Sequence, residues 1–394
     1  MKFDIKRIGD ICQKVCSGGT PTSSNPDYYD GGIPWLNTNE VNFCNIYSTN
    51  KTISEEGLNH SAAKYIPVNS IIVAMYGVTA GKCAVAKIPL TTNQACCNLV
   101  IDEEKAHYQY VYHFLKLQSD NLNKLANGGA QQNLNSIIIK KFKIALPSLN
   151  IQQRIASILS AYDNLIENNN KRIRLLEQMA ENLYKEWFVR FRFPGHEKAE
   201  FENGLPKGWS LKNLFDVADV SYGYAFKSDL FCNDKNLNAV VRIRDIQDNH
   251  TDTYTSEICD DKYLIEENAI LVGMDGLFHM CLWNGEKAYL KQRVVKICSK
   301  KKDMCNYMIF MAIRPQIKFW EQVIAGTTVA HLGDKHLKKI KIAVPTENLL
   351  LKANESIQRI MVEKNQLFKQ NQILSRQRDL LLPRLMSGKL EVKL

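Results

Sequence analysis

"NLNSIIIKKFKIALPSL" at residues 133–149 comes back as "HLGDKHLKKIKIAVPTE" at residues 331–347, 198 residues further on. In each copy a lysine-rich apolar run ends in a proline and a long helical stretch follows, so the chain holds two modules built to one plan. Working outward, "TTNQACCNL" (91–99) meets "YLKQRVVKI" (289–297) at the same offset, with Gln94 over Gln292. One residue out of phase, "SIIVAMYG" (70–77) meets "AILVGMDG" (269–276). Further upstream the offset grows to 205 or 206, pairing "LNTNEV" (36–41) with "RIRDI" (242–246) and "RIGDI" (7–11) with "NLFDV" (213–217). Offsets that drift belong to a shared fold with loop insertions. A period near 200 residues far exceeds the roughly 20–50 of solenoid repeats, so each repeat is a whole domain with its own core.

Length and composition agree. The chain has 394 residues and is 45% hydrophobic, enough for two cores. Lys and Arg number 51 against 41 Asp and Glu, a net charge of +10 that favours a polyanionic partner. The cysteines are eleven, but none form a CxxC pair and no His/Cys array has zinc spacing. Free or buried reduced thiols are expected, and with them a cytoplasmic location. No apolar run reaches the roughly 18–20 residues of a membrane span, and no secretory leader is recognised.

Residues 1–147 read as short strands and turns, with a helix expected over 107–125 where Val111, Phe114, Leu115, Leu122 and Leu125 share a face. From Pro147 the pattern changes. Ile151, Ile155, Ile158, Tyr162, Ile166, Ile173, Leu176, Leu183 and Trp187 follow three- and four-residue steps, the seam of one helix lying along another. "NNN" (168–170) interrupts it, either fixing register or simply facing water. Pro194 and Gly195 should stop this rod. A second rod runs through Leu350, Ala353, Ile357, Ile360, Leu367, Leu374, Leu381 and Leu385, with Pro383 and Gly388 near its end. Neither seam can stay in water, so the rods should pack together and antiparallel. The expected fold class is α+β: two similar mixed α/β modules separated by two long antiparallel helices, a pseudo-twofold internal repeat. The expected parts are a first module over 1–147, a helix over 148–192, a linker over 193–205, a second module over 206–345, a helix over 346–388 and a tail over 389–394.

A search for chemistry finds little. "GVTAGKC" (77–83) falls short of a phosphate loop by one residue between its glycines, and Cys83 stands where Ser or Thr should bind magnesium; a hairpin turn carrying Lys82 is the expectation. The methyltransferase tetrapeptide of Asn or Asp, two prolines and an aromatic is missing. "DEEK" (102–105) lacks the separate aspartate of a nuclease metal site. Neither a catalytic site nor a metal site is expected. What remains is recognition chemistry: Thr20, Asn37, Thr38, Asn39, Tyr76, Lys82, Asn93, Gln94, Gln131 and Gln132 in the first module, and Tyr224, Lys227, Arg242, Arg244, Gln292, Arg293 and His331 in the second. Amides and guanidiniums make paired hydrogen bonds to purine edges, and lysines anchor phosphates. Two other classes stay open at this point, an enzyme with a degenerate site and a scaffold that never touches nucleic acid.

Several segments resemble a known family. "SGGTP" (17–21), "YYDGGIPWLNTNEV" (28–41), "ALPSLNIQQRIASILSAYDNLIENNNKRI" (145–173), "LYKEWFVRFRFPGHE" (183–197), "LPKGW" (205–209) and "LLPRLMSGKL" (381–390) are similar to the specificity subunit of Type I restriction-modification systems. The likeness covers essentially the whole chain, departing at "SYGYAFKS" (221–228), where "SGGTP" would stand. It implies that each module is a target-recognition domain binding half of a bipartite, asymmetric double-stranded DNA target. It implies that the helices set the half-site spacing and dock two methyltransferase (modification) subunits, through which restriction and translocase subunits join. Ile155, Ile158, Tyr162, Leu176, Trp187, Phe188, Ile357, Leu367, Leu374 and Leu385 are the docking residues it suggests. It further implies that the chain is non-catalytic and needs no cofactor, S-adenosylmethionine, ATP and Mg2+ belonging to its partners in DNA methylation and in defence against phage.

Overall fold

The computed structural model describes residues 3–125, 134–324 and 330–392. It divides into two compact units, one of residues 1–168 with 370–394, the other of residues 169–369. Each unit combines a mixed α/β module with stretches of two long helices, α1 (Leu149–Tyr184) and α2 (Glu347–Met386).

In the first unit Asp4–Arg7 pairs antiparallel with Lys143–Leu146, tying the start of the module to its exit into α1. A five-stranded sheet follows the order Cys12–Ser17, Cys96–Ile101, Ile71–Ala74, Cys83–Ala86, Asn45–Ile46. "IIVA" is apolar throughout because both faces of its strand are covered, and the two-residue period divides it. Ile71 and Val73 join a core with Tyr110, Leu115 and Ile139, while Ile72 and Ala74 meet Leu36, Val41 and Leu90 on the other side. A second sheet lays Tyr29–Leu36 between Lys51–Ile53 and the parallel Thr91–Thr92.

The second unit repeats this plan. Ser210–Asn213 pairs with Lys341–Val344, and the order Ala218–Tyr222, Val294–Ser299, Ile270–Gly273, Met280–Leu282 reproduces the first four strands of the five-stranded sheet. Ile270 and Val272 again face one core and Ala269 and Leu271 another. The parallel pairing recurs as well: Leu36 lies opposite Thr92 in the first module, and Val241 opposite Leu290 in the second. Those positions differ by 205 and 198 residues, the drift seen in the sequence.

The helix expected over 107–125 is two, Tyr108–Leu117 and Ser119–Lys124, and Leu125 is exposed rather than packed. Helix α1 passes unbroken through "NNN", burying Asn169 and exposing its neighbours, then ends in one π-helical turn, Lys185–Val189. Pro194 and Gly195 follow that turn, and Trp209 of "LPKGW" sits against the rings of Phe188, Phe191 and Phe193 at 5.5–5.7 Å. Helix α2 carries Pro383 within its last turn.

Within each unit the helices run antiparallel. In the first, Arg378 reaches Asp163 at 2.6 Å, and Leu382 and Leu385 share a core with Ile155 and Leu159. In the second, Lys364 meets Glu177 at 3.0 Å and Arg172 meets Glu363 at 2.7 Å.

Candidate nucleic-acid interface

Strand direction decides which side chains assemble. In the first module Cys12–Ser17 and Ile71–Ala74 both run antiparallel to Cys96–Ile101, and Cys83–Ala86 runs antiparallel to Ile71–Ala74. The C-terminal ends of the first two strands therefore lie beside the N-terminal ends of the other two. That one end of the sheet carries Thr20, Tyr76, Lys82, Asn93 and Gln94. The parallel Tyr29–Leu36 and Thr91–Thr92 bring Asn37 there as well, for Asn93 donates its backbone N–H to the Leu36 carbonyl at 2.9 Å.

The polar groups at this end hold one another. Thr20 bonds to Gln94 through its hydroxyl, Asn93 reaches the Asn37 side chain at 3.3 Å, and the Asn37 N–H donates to Glu40 at 3.1 Å. Thr38 and Asn39 occupy the short turn that Asn37 opens. Lys82 donates to Asn42 at 2.9 Å, on the hairpin expected for "GVTAGKC". Gln131 and Gln132 lie outside the described residues.

The second module gathers most of its candidates at the same end, with different chemistry; Lys227 stands apart, held by Glu257 beside the start of strand Asn238–Val241. Gly223 and Tyr224 donate to the carbonyls of Val294 and Leu290, the bonds that Gly18 and Gly19 make to Cys96 and Thr92. "SYGYAFKS" thus keeps one glycine in place: a Cβ on Gly18 would stand 2.1 Å from the Thr92 oxygen, and one on Gly223 would stand 2.0 Å from the Lys291 oxygen. Tyr224 donates to Glu257 at 3.3 Å, and the Glu257 carboxylate holds its phenol above the usual range. Glu257 also accepts the Lys227 N–H at 2.9 Å. Arg242 and Arg244 flank buried Asp245, each 3.6 Å from a carboxylate oxygen; burial raises the Asp245 pKa. Gln292 is exposed, Arg293 lies 3.6 Å from Asp275, and His331 stands 2.6 Å from the same carboxylate.

Sequence reasoning passed over Asp275, which joins two of its candidates. It also passed over Val78 and Leu277, both strongly exposed, each following a glycine with φ +71 at the matching hairpin tip. The paired motifs "YGVT" and "DGLF" were the available signal.

On the helices, Ile155, Leu176, Phe188, Ile357, Leu367 and Leu385 are buried, and Ile158, Tyr162, Trp187 and Leu374 are half-buried. The exposed apolar side chains are others: Leu165, Leu175 and Met179 on α1, and Leu351, Val362, Ile373 and Leu380 on α2. The last four follow steps of eleven, eleven and seven residues, which return to one side of an α-helix. Among the described residues no cluster of His, Cys, Asp or Glu has the makings of a metal site, no helix is long and apolar enough to cross a membrane, and every cysteine is a free thiol. Burial pushes the Cys97 thiol up to about 12, so it carries little thiolate character.

Fold and edge chemistry define a class, a tandem recognition protein whose two modules present different side chains from one framework. The profile of the Type I restriction modification DNA specificity domain matches residues 1–178 and again 206–377. The chain is 28% identical to the Type I restriction enzyme MjaIX specificity subunit of Methanocaldococcus jannaschii, over 99% of this chain and 94% of that one. It is 30% identical to the EcoR124I/EcoR124II specificity subunit of Escherichia coli over 50% of each. The crystal structure of the Type I restriction-modification S subunit from M. genitalium has the same fold, with a TM-score of 0.62 at 18% identity, covering 98% of this chain and 96% of that one. The chain belongs to the Type I restriction-modification specificity family, as a sequence-specific DNA-binding subunit with two copies of the specificity domain.

Proposed function

We propose that each module reads one half of a bipartite, asymmetric double-stranded DNA target, and that the reading side chains are those gathered at the matched sheet ends. Thr20, Asn37, Thr38, Asn39, Tyr76, Lys82, Asn93, Gln94, Gln131 and Gln132 serve one half-site. Tyr224, Lys227, Arg242, Arg244, Gln292, Arg293 and His331 serve the other. The observation that carries this reading is that one sheet end, in two modules of one topology, displays mainly amides in the first and guanidiniums beside the single amide of Gln292 in the second. Amides suit adenine edges and guanidiniums suit guanine, so two unlike half-sites follow.

The stretches 148–192 and 346–388 act as spacer and dock, the modules 1–147 and 206–345 as readers, with 193–205 as linker and 389–394 as tail. Two modules enter successive major grooves on one face of the duplex when their separation suits a helical turn, about 34–36 Å or a multiple. The buried seam residues, Ile155, Leu176, Phe188, Ile357, Leu367 and Leu385, fix the helices. Two methyltransferase subunits then meet the outer faces, with Ile158, Tyr162, Trp187 and Leu374 at the margin, and restriction subunits join through them. Methyl transfer, ATP and Mg2+ chemistry belong to those partners. The test is DNA binding by the complex with its methyltransferase subunits, measured across salt concentration. Target-specific binding whose logarithm falls linearly with that of salt is expected. Absence of DNA binding would leave a protein scaffold, and methyl transfer or cleavage by the purified chain alone would make it an enzyme.

A further inference from the structure

The corner of the second module where Arg293, Asp275 and His331 meet has no counterpart among the described residues of the first. Arg293 ends a tight turn closed by the Val294 N–H on the Lys291 carbonyl at 3.1 Å, and its φ is +74, a left-handed conformation in which glycine is the favoured residue. The same turn in the first module is closed by the Cys96 N–H on the Asn93 carbonyl at 3.2 Å, yet Ala95, in the place of Arg293, keeps a negative φ. The turn itself therefore does not demand the strain. A long cation held in a costly conformation at the reading end points to a task for that side chain.

Its neighbours show how it is held. The His331 Nδ1 lies 2.6 Å from an Asp275 carboxylate oxygen, so that nitrogen carries the proton and donates it. With its proton committed there, Nδ1 has no lone pair for the Arg293 Nη1 at 3.4 Å, and that approach is not a hydrogen bond. The other Asp275 oxygen stands 3.6 Å from the Arg293 Nε, an ion pair on the inner edge of the guanidinium. The outer edge, Nη1 and Nη2, has no protein acceptor among the described residues, and the side chain is half exposed. A guanidinium fixed at Nε and open at its terminal nitrogens is a planar two-donor fork, the complement of the O6 and N7 acceptors of guanine in the major groove.

Resting on the proposed reading of DNA by the sheet ends, we infer that Arg293 reads a guanine in the half-site of the second module, with Asp275 and, through it, His331 as positioning residues. Tyr76 replaces Asp275 in the first module and Ala95 replaces Arg293, so that module has no such fork at this corner.

The experiment is methylation-motif sequencing of cells carrying the assembled complex with the unaltered chain, Arg293→Ala, Arg293→Lys or Asp275→Asn, together with an exchange of residues 206–345 that assigns the half-sites. The half-site assigned to the second module should hold a G·C pair. Both Arg293 substitutions should relax that pair alone, lowering its preference over A·T about ten- to a hundredfold in competition binding while every other position is kept. Asp275→Asn should relax the same pair more weakly, a change of specificity that a merely structural role would not produce. A second half-site without a G·C pair overturns the inference whatever the variants do, even if Arg293→Ala fails to assemble. Uniform weakening on all sequences overturns it too, since that marks a phosphate contact. An exchange that alters neither half-site removes the underlying reading, and the inference with it.

Discussion

Arg378 on α2 donates to Asp163 on α1 at 2.6 Å, and both side chains are largely withdrawn from solvent. Lys116 lies 3.5 Å from the same carboxylate, so the two helices and the module helix Tyr108–Leu117 share one anchor. Arg378→Met would leave Asp163 with Lys116 and the His113 ring and should cost about 1–3 kcal/mol. Denaturant unfolding of the chain in its complex measures this. An unchanged midpoint would mean that apolar packing, not the charge, joins these elements.

His113 sits beside that anchor, its Nε2 3.4 Å from the Ser160 hydroxyl. Burial lowers its pKa to about 4, with Asp163 opposing the shift. The folded state therefore binds fewer protons than the unfolded one between about pH 6.5 and 4, and stability falls as pH drops through that window. The contribution is complete above the unfolded value and gone below the folded one. At about 1.4 kcal/mol per pH unit the loss amounts to a few kcal/mol. His113→Gln should flatten the pH dependence there; equal slopes for both proteins would contradict it.

Gly18 and Gly223 occupy matched places where a Cβ would meet backbone oxygens of the neighbouring loop. Neither oxygen can rotate away, so alanine should displace the edge at a local cost of about 1–3 kcal/mol. Each substitution should degrade recognition of one half-site, Gly18→Ala of the first module's and Gly223→Ala of the second's, without loss of partner subunits. Damage to both half-sites by either variant would show that the edges are not independent.

Four residues added to α1 between 164 and 165, matched by four in α2 between 376 and 377, lengthen the rods by about 6 Å. Methylation mapping should then find the half-sites unchanged and about two more base pairs between them. Finding the original spacing would detach the helices from the ruler role.

The repeat was legible in sequence because its matching residues are strand cores. "SIIVAMYG" and "AILVGMDG" keep their two-sided burial whatever the loops do, and the offsets of 205 and 198 are those of the paired strands Leu36/Thr92 and Val241/Leu290. Clustering of candidates at one sheet end was partly legible, since strand ends carry them. Contacts formed across long sequence distances were not: Asp275 and His331 are 56 residues apart and meet only through the fold. The helical seam reveals the opposite limit. Periodicity finds side chains that face inward, such as Ile155 and Ile357, whereas Ile373 and Leu380 look like ordinary helix positions until the packing leaves them exposed. Leu125 failed for a local reason: Leu122 still reaches the core after the break at Leu117, but the second helix ends at Lys124 and leaves Leu125 exposed at its end.

The most direct test exchanges residues 206–345 for those of another specificity subunit and sequences the methylated motif of the host. The account predicts that one half-site changes, while the other half-site and the spacing stay as they were. A change in both half-sites, or in neither, would contradict it.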